Sequence, residues 1–172
     1  QHGLVTREDL NGLDLTEPMR RRLTRNGALE LMGSRTYRTI GSPRTDLQQV
    51  MLACLDLRAV ASHGTSAALN DVRPFGLGGL PDVIVRHGRH VVPSRLAKVH
   101  TTTNLGPDDI VTLHHIPTLN VARTFMTLAS LVPPMKLETL RDAIDVAVRD
   151  GKATDRWLWW RLEQLRCRGR GG

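Results

Sequence analysis

Aromatic side chains are nearly missing from this 172-residue chain: they make up 3%, and its three tryptophans all fall between Trp157 and Trp160. The core elsewhere is therefore expected to be aliphatic, built from Leu, Val, Ile and Ala. Cysteine is scarce as well. Cys54 and Cys167 lie far apart and match no metal or redox spacing, so both are expected as free thiols, with no metal and no other cofactor. No apolar run approaches the roughly 20 residues that a membrane span needs, and no signal-peptide pattern is present. A soluble, cytoplasmic protein without a membrane partner is the expectation. Acids are outnumbered, with 17 Asp and Glu against 24 Lys and Arg, for a formal charge of +7. Lysine stands only at Lys98, Lys136 and Lys152, so the excess is carried by arginine, the side chain best suited to phosphate and guanine. Polyanions are the natural partners.

What is present has a globular balance, 40% hydrophobic and 24% charged, at a length that suits one or two domains. No internal repeat is found. The chain starts at Gln1 without a methionine and stops in an Arg/Gly string from Arg166 to Gly172, which gives it the look of a piece of a longer protein.

Charge concentrates near the start. Residues 1–44 hold eight arginines against five acids, and residues 16–44 seven against two. Thr6-Arg7-Glu8-Asp9 has the pattern of a capping box, with Val5 and Leu10 spaced as a hydrophobic staple, so a short helix should run from Arg7 to about Gly12. Thr16 can cap a second helix over roughly residues 17–26, with Pro18 tolerated in its first turn and Gly27 ending it in a left-handed conformation. Met19 and Leu23, one turn apart, are expected to pack on Leu10, Leu13 and Leu15 and to turn the arginines outward. From Leu29 to Ile40 alternation on both sides of Gly33-Ser34 predicts a β-hairpin. Helix, tight turn, helix and hairpin together predict a winged helix-turn-helix over residues 1–44.

From residue 45 to 172 the pattern predicts an α+β domain, a small mixed sheet flanked by helices. Helices are expected from Asp46 past Leu55, from a Ser62 cap through Leu69, from an Asn120 cap to Pro133-Pro134, from Lys136 to about Asp150, and from Thr154 or Asp155 onward. Short strands are expected at Asp82 to Arg86, Lys98 to Thr103 and Ile110 to His114.

The order His2-Gly3-Leu4-Val5-Thr6-Arg7, Leu10, Arg20-Arg21-Arg22-Leu23, Asn26-Gly27-Ala28-Leu29 and Tyr37 resembles the N-terminal winged helix of the AbiEi family, antitoxins of type IV toxin-antitoxin systems. Ser62-His63, Ser66-Ala67-Ala68-Leu69, Arg73-Pro74, Val83-Ile84-Val85, His100, Asp108-Asp109, Ile116-Pro117, Ala122-Arg123-Thr124-Phe125 and Leu128-Ala129 are similar to the second part of such proteins. The resemblance implies an autoregulating, DNA-binding antitoxin with a toxin as partner, and a first helix truncated at Gln1. The wing departs from the family pattern, because Ser34-Arg35-Thr36-Tyr37 replaces most of an Arg-Gly-Val-Tyr-like stretch. Relatives fused to a Vsr-like endonuclease domain imply an alternative, the DNA-targeting region of such a protein without its catalytic domain. A module that neutralises a toxin by contact alone is a third reading.

The expected DNA-binding set is Thr16, Arg20, Arg21, Arg22 and Arg25 on the second helix, which would enter the major groove, and Arg35, Tyr37 and Arg38 on the wing, at phosphates or the minor groove. Arg44 is peripheral. No catalytic residue is expected. Ser62-His63 resembles half of a nucleophile pair, but Ser62 has a helix to cap. His114 and His115, adjacent in a strand, would point to opposite faces, and His87, His90 and His100 lack the partners of a zinc set. Arg123 is expected to pair with Asp108 or Asp109. Trp157, Trp159 and Trp160 exceed what one apolar face needs, so one should pack on the helix of residues 136–150 or meet a toxin or a missing C-terminal domain.

Overall fold

A computed structural model describes residues 2–88 and 94–166. The chain opens with strand β1 (Leu4–Thr6), which runs straight into helix α1 (Arg7–Gly12). Thr6 makes the junction: its hydroxyl accepts from the Asp9 amide at 3.2 Å, and the Asp9 carboxylate accepts from the Thr6 amide at 2.8 Å. These reciprocal bonds satisfy amides that a helix start leaves without partners. Helix α2 (Glu17–Arg25) follows after a short turn and stops where Gly27 takes a φ of +75°. Strands β2 (Leu29–Leu31) and β3 (Thr36–Thr39) then form a hairpin, and β1 pairs with the far side of β3 to give an antiparallel sheet in the order β1-β3-β2.

The inward face of α2 differs from expectation. Leu23 joins Leu10, Leu29 and Tyr37 in a small core with Val5 and Leu15, whereas Leu13 is 70% exposed and Met19 41% exposed. Arg20, not Met19, is the residue that α2 turns inward with Leu23. Three-residue and four-residue spacings both define a helix face, and here the buried position one turn before Leu23 is an arginine.

The remaining elements are helix α3 (Asp46–Leu57), strand β4 (Val60–Ala61), helix α4 (His63–Leu69), strands β5 (Asp82–Arg86), β6 (Lys98–Thr102), β7 (Ile110–Leu113) and β8 (Ile116–Leu119), and helices α5 (Val121–Ala129), α6 (Leu137–Arg149) and α7 (Asp155–Leu165). The five strands form one mixed sheet in the order β6-β5-β4-β8-β7, parallel at β5/β6 and β4/β8 and antiparallel elsewhere. The protein is α+β. Val83 and Val85 point into a core with Val50, Met51 and Cys54 of α3, and Ile84 between them points into another with Leu105 and Leu119. A third core joins α4, α5 and α6 through Ala67, Phe125, Leu128, Leu140 and Ala147. Leu4 of β1 lies in the α3 core, so the packing runs without a break across residue 44.

Strands β4 and β8 were not expected: β4 has two residues, and Pro117 interrupts the alternation of β8 and offers no amide to the ladder. His114 and His115 do not sit in a strand. They form the turn between β7 and β8, with φ of +49° and +64°, the left-handed pair that a two-residue hairpin turn demands. Asn120 caps α5 as anticipated, accepting from the Arg123 amide at 2.8 Å. Ser62 precedes α4, but its side chain makes no capping bond.

Candidate nucleic-acid interface

Helix α2 presents its arginines in two ways. Arg20 is 7% exposed, and its guanidinium donates to the Asn11 side chain at 2.6 Å and to the Leu15 carbonyl at 2.5 Å. It thereby closes the turn between α1 and α2. The expected outward, base-reading position of Arg20 is corrected by this burial. Arg21, Arg22 and Arg25 are exposed, and Arg21 is partnered at one end by Glu17, one turn away. Arg22 and Arg25 occupy the last turn, where cations also offset the helix dipole. Thr16 is exposed at the start of α2 and makes no capping bond, so its hydroxyl faces solvent.

The hairpin arginines have a different fate. Arg35 forms an ion pair with Glu8, which Arg58 also reaches at 3.2 Å. The hydrogen bond from Arg35, foremost, holds the Glu8 carboxyl down to about 2, with Arg58 adding to it. Arg38 donates to Glu30 through Nε at 2.9 Å and to the Ser42 carbonyl at 3.2 Å, and Arg44 meets the other oxygen of Glu30 at 3.2 Å. Arg38, again foremost, lowers the Glu30 pKa. Tyr37 is buried in the small core. The set of wing contacts expected at Arg35, Tyr37 and Arg38 is thus occupied by partners within the protein.

The hairpin turn is fastened from outside as well. Asp56 of α3 accepts from the Ser34 amide and hydroxyl, each at 3.0 Å, and from the Arg35 amide at 2.9 Å. Burial opposes the charge on Asp56, but these amide bonds outweigh it and hold the carboxyl below its usual range. Gly33 is required here, because a Cβ would lie 2.4 Å from the Asp56 carboxyl group. Sequence reasoning missed Asp56, which lies 22 residues from the turn it holds.

Between α2 and the hairpin runs an open cleft of about 720 Å³ lined by Arg7, Glu17, Arg20, Arg21, Thr24, Arg25, Leu31 and Tyr37. Besides the buried Arg20, the arginines Arg7, Arg21 and Arg25 line it against the one carboxylate of Glu17, together with Tyr37 and Leu31. Such a surface attracts an extended polyanion more than a small apolar ligand.

A second polar cluster lies in the five-stranded region. Ser62 and His63 are both buried, and the Ser62 hydroxyl bonds His63 Nδ1 at 3.0 Å. The His63 ring stacks on His100 with centroids 3.7 Å apart, and His100 Nε2 meets Asp82 at 2.9 Å. Burial, then the neighbouring His100, pushes the His63 pKa down to about 4. The carboxylate thus orients His100, while the hydroxyl bonds a different histidine. Together they do not make the serine–histidine–carboxylate relay of a nucleophilic site. Arg123 is buried beside them and donates to the Asn104 carbonyl at 2.7 Å and Thr102 at 3.2 Å. The expected partner Asp109 is ion-paired with Arg161 of α7 instead.

Cys54 is a buried free thiol pushed up to about 12 by burial, and Cys167 lies outside the described residues. His90 also lies outside them, and among the described residues no three metal-binding side chains converge. No described helix is long and apolar enough to cross a membrane. The chain matches no family model and no curated protein.

Proposed function

We propose that the chain binds double-stranded DNA as a non-enzymatic transcriptional regulator of the antitoxin kind, with residues 4–39 acting as a winged helix-turn-helix. The observation that carries this reading is the asymmetry of α2. Its inward arginine is consumed by the fold, while Arg21, Arg22 and Arg25 share the solvent side next to a basic cleft. The order β1, α1, α2, β2, β3 supports the reading of α2 as the helix that enters the major groove. Thr16, exposed at the N-terminal end of α2, would meet phosphates, whereas Arg7, across the cleft, already donates to the Ser34 carbonyl at 3.0 Å. The hairpin supports α2 and holds its arginines internally, so it contributes less than a wing with free cations. The histidine cluster has a structural role here.

Titration of the upstream DNA of the protein's own gene, followed by fluorescence anisotropy across a salt series, tests the reading. Arg21→Ala/Arg22→Ala/Arg25→Ala is expected to weaken binding on the order of a hundredfold. It should also flatten the dependence of log K on log salt by about 0.9 for each phosphate that is no longer neutralised. Unchanged affinity and slope in a folded triple variant would overturn it.

A further inference from the structure

Helix α7 carries an exposed stripe with a built-in two-fold pattern. Trp157 and Leu158 pack against the core of α4, α5 and α6, and Arg161 reaches the buried Asp109, which fixes the inward side of the helix. On the opposite side lie Arg156, Trp159, Trp160 and Glu163, in the i, i+3, i+4, i+7 spacing of a single helical stripe. Trp159 is 65% exposed and Trp160 51% exposed, with Leu162 beside them at 41%. Exposed tryptophans of this kind mark contact surfaces. Glu163 has a loose 3.8 Å contact with Arg166 and is otherwise open to a further cation, its side chain 60% exposed.

The charges choose the occupant. Arg156 and Glu163 are equally distant from the midpoint between Trp159 and Trp160. An antiparallel copy of α7 laid across that midpoint sets Arg156 opposite Glu163 twice and each Trp159 opposite a Trp160. A parallel copy would set arginine against arginine and glutamate against glutamate. The stripe is therefore complementary to itself in one orientation, the requirement of a two-fold interface in which the same patch serves both subunits. An unrelated acidic or basic partner would find only half of it matched.

We propose that α7 pairs with α7 of a second copy of this chain, antiparallel, about a two-fold axis passing between Trp159 and Trp160. At 1.5 Å per residue an 11-residue helix is only about 16 Å long. A helix this short covers less than the roughly 800 Å² per partner of a standard interface, so a weak, reversible pair is expected. The inference does not rest on DNA binding, and it is read on the protein alone.

Sedimentation equilibrium of the full chain over a concentration series tests it, with tryptophan emission followed in parallel. The wild type is expected to pass from monomer to dimer with a blue shift of the emission. Arg156→Glu sets glutamate against glutamate and should leave a monomer throughout. Glu163→Arg should do the same with arginine. The double variant Arg156→Glu/Glu163→Arg restores the complementarity in reverse and should restore the dimer. Because these positions are exposed, the variants keep the fold, which circular dichroism checks. Three results would overturn the proposal: a monomeric wild type, a dimer that survives Trp159→Ala/Trp160→Ala, or a double variant that stays monomeric. The last would show that Arg156 and Glu163 do not face each other across the pair.

Discussion

The arginines of α2 and those of the hairpin differ in fate although the sequence presents them alike. Arg35 and Arg38 are largely withdrawn from solvent and met by Glu8 and Glu30, and the turn between the strands is tied to Asp56. Arg22 and Arg25 extend into solvent, and Arg21 is held only by the exposed Glu17. A paired, half-buried arginine has exchanged its water for protein acceptors, and reaching for a phosphate would mean giving those up. An exposed arginine has only water and counterions to release, and their release drives phosphate binding. On the proposed DNA-binding reading, the difference gives recognition to the helix and support to the hairpin.

Arg20 is the sharpest place to break this division, because it belongs to α2 by sequence and to the supporting set by environment. Arg20→Ala removes the donor to the Leu15 carbonyl and to Asn11 and leaves space under α2. A loss of about 2–3 kcal/mol in urea unfolding is expected. DNA affinity of the folded protein should stay within a few-fold of the wild type. The opposite pattern, full stability with weakened affinity, would make Arg20 a reading residue and erase the distinction.

Asp56 sharpens it from the other side. Asp56→Ala frees three donors at the hairpin turn in a half-buried setting, and a cost of about 1–2 kcal/mol is expected. Gly33→Ala should act at the same point, since its methyl group would press on the Asp56 carboxylate. If the hairpin only supports α2, both variants lower the melting temperature while the salt slope of DNA binding is unchanged. A change in slope would show that Arg35 or Arg38, once released, takes up a phosphate.

Several of these features were legible in the sequence because they are local. The Thr6 capping box, the Asn120 cap, the Gly27 helix stop and the hairpin around Gly33-Ser34 each depend on residues within a few positions of one another. What could not be read depends on contacts across the chain. Met19 and Arg20 both lie one turn from Leu23, and only the carbonyl of Leu15 and the side chain of Asn11 select the arginine. Glu8 and Glu30 carry no local signal of their partners, because Arg35 and Arg38 reach them only once the sheet has formed. Asp109 had two arginines to choose from, and the docking of α7 gave it Arg161. The outward stripe of α7 was visible only as a surplus of tryptophan, since the side of the helix that is buried had to be known first.

The smallest expected effect is also the most specific to the hairpin. Glu8 and Glu30 have carboxyl pKa values below the ordinary glutamate value of 4.5, Glu8 down to about 2, with hydrogen bonds from Arg35 and Arg38 as the leading causes. A carboxyl lowered by folding stabilises the native state above its unfolded pKa and loses that contribution as pH falls through the folded value. For Glu8 the window runs from about 4.5 down to about 2. Both acids are exposed, so solvent screening keeps the contribution small. His63 titrates in the folded protein near 4 and overlaps the upper part of this range, so wild-type stability alone does not isolate the hairpin. The difference between wild type and Glu8→Gln does. That difference should be present at neutral pH and shrink across the window, because a glutamine cannot gain the proton that releases Arg35. A constant difference down to about pH 2, the folded value of Glu8, would show that the Glu8–Arg35 pair holds nothing, leaving Asp56 as the fastening of the hairpin.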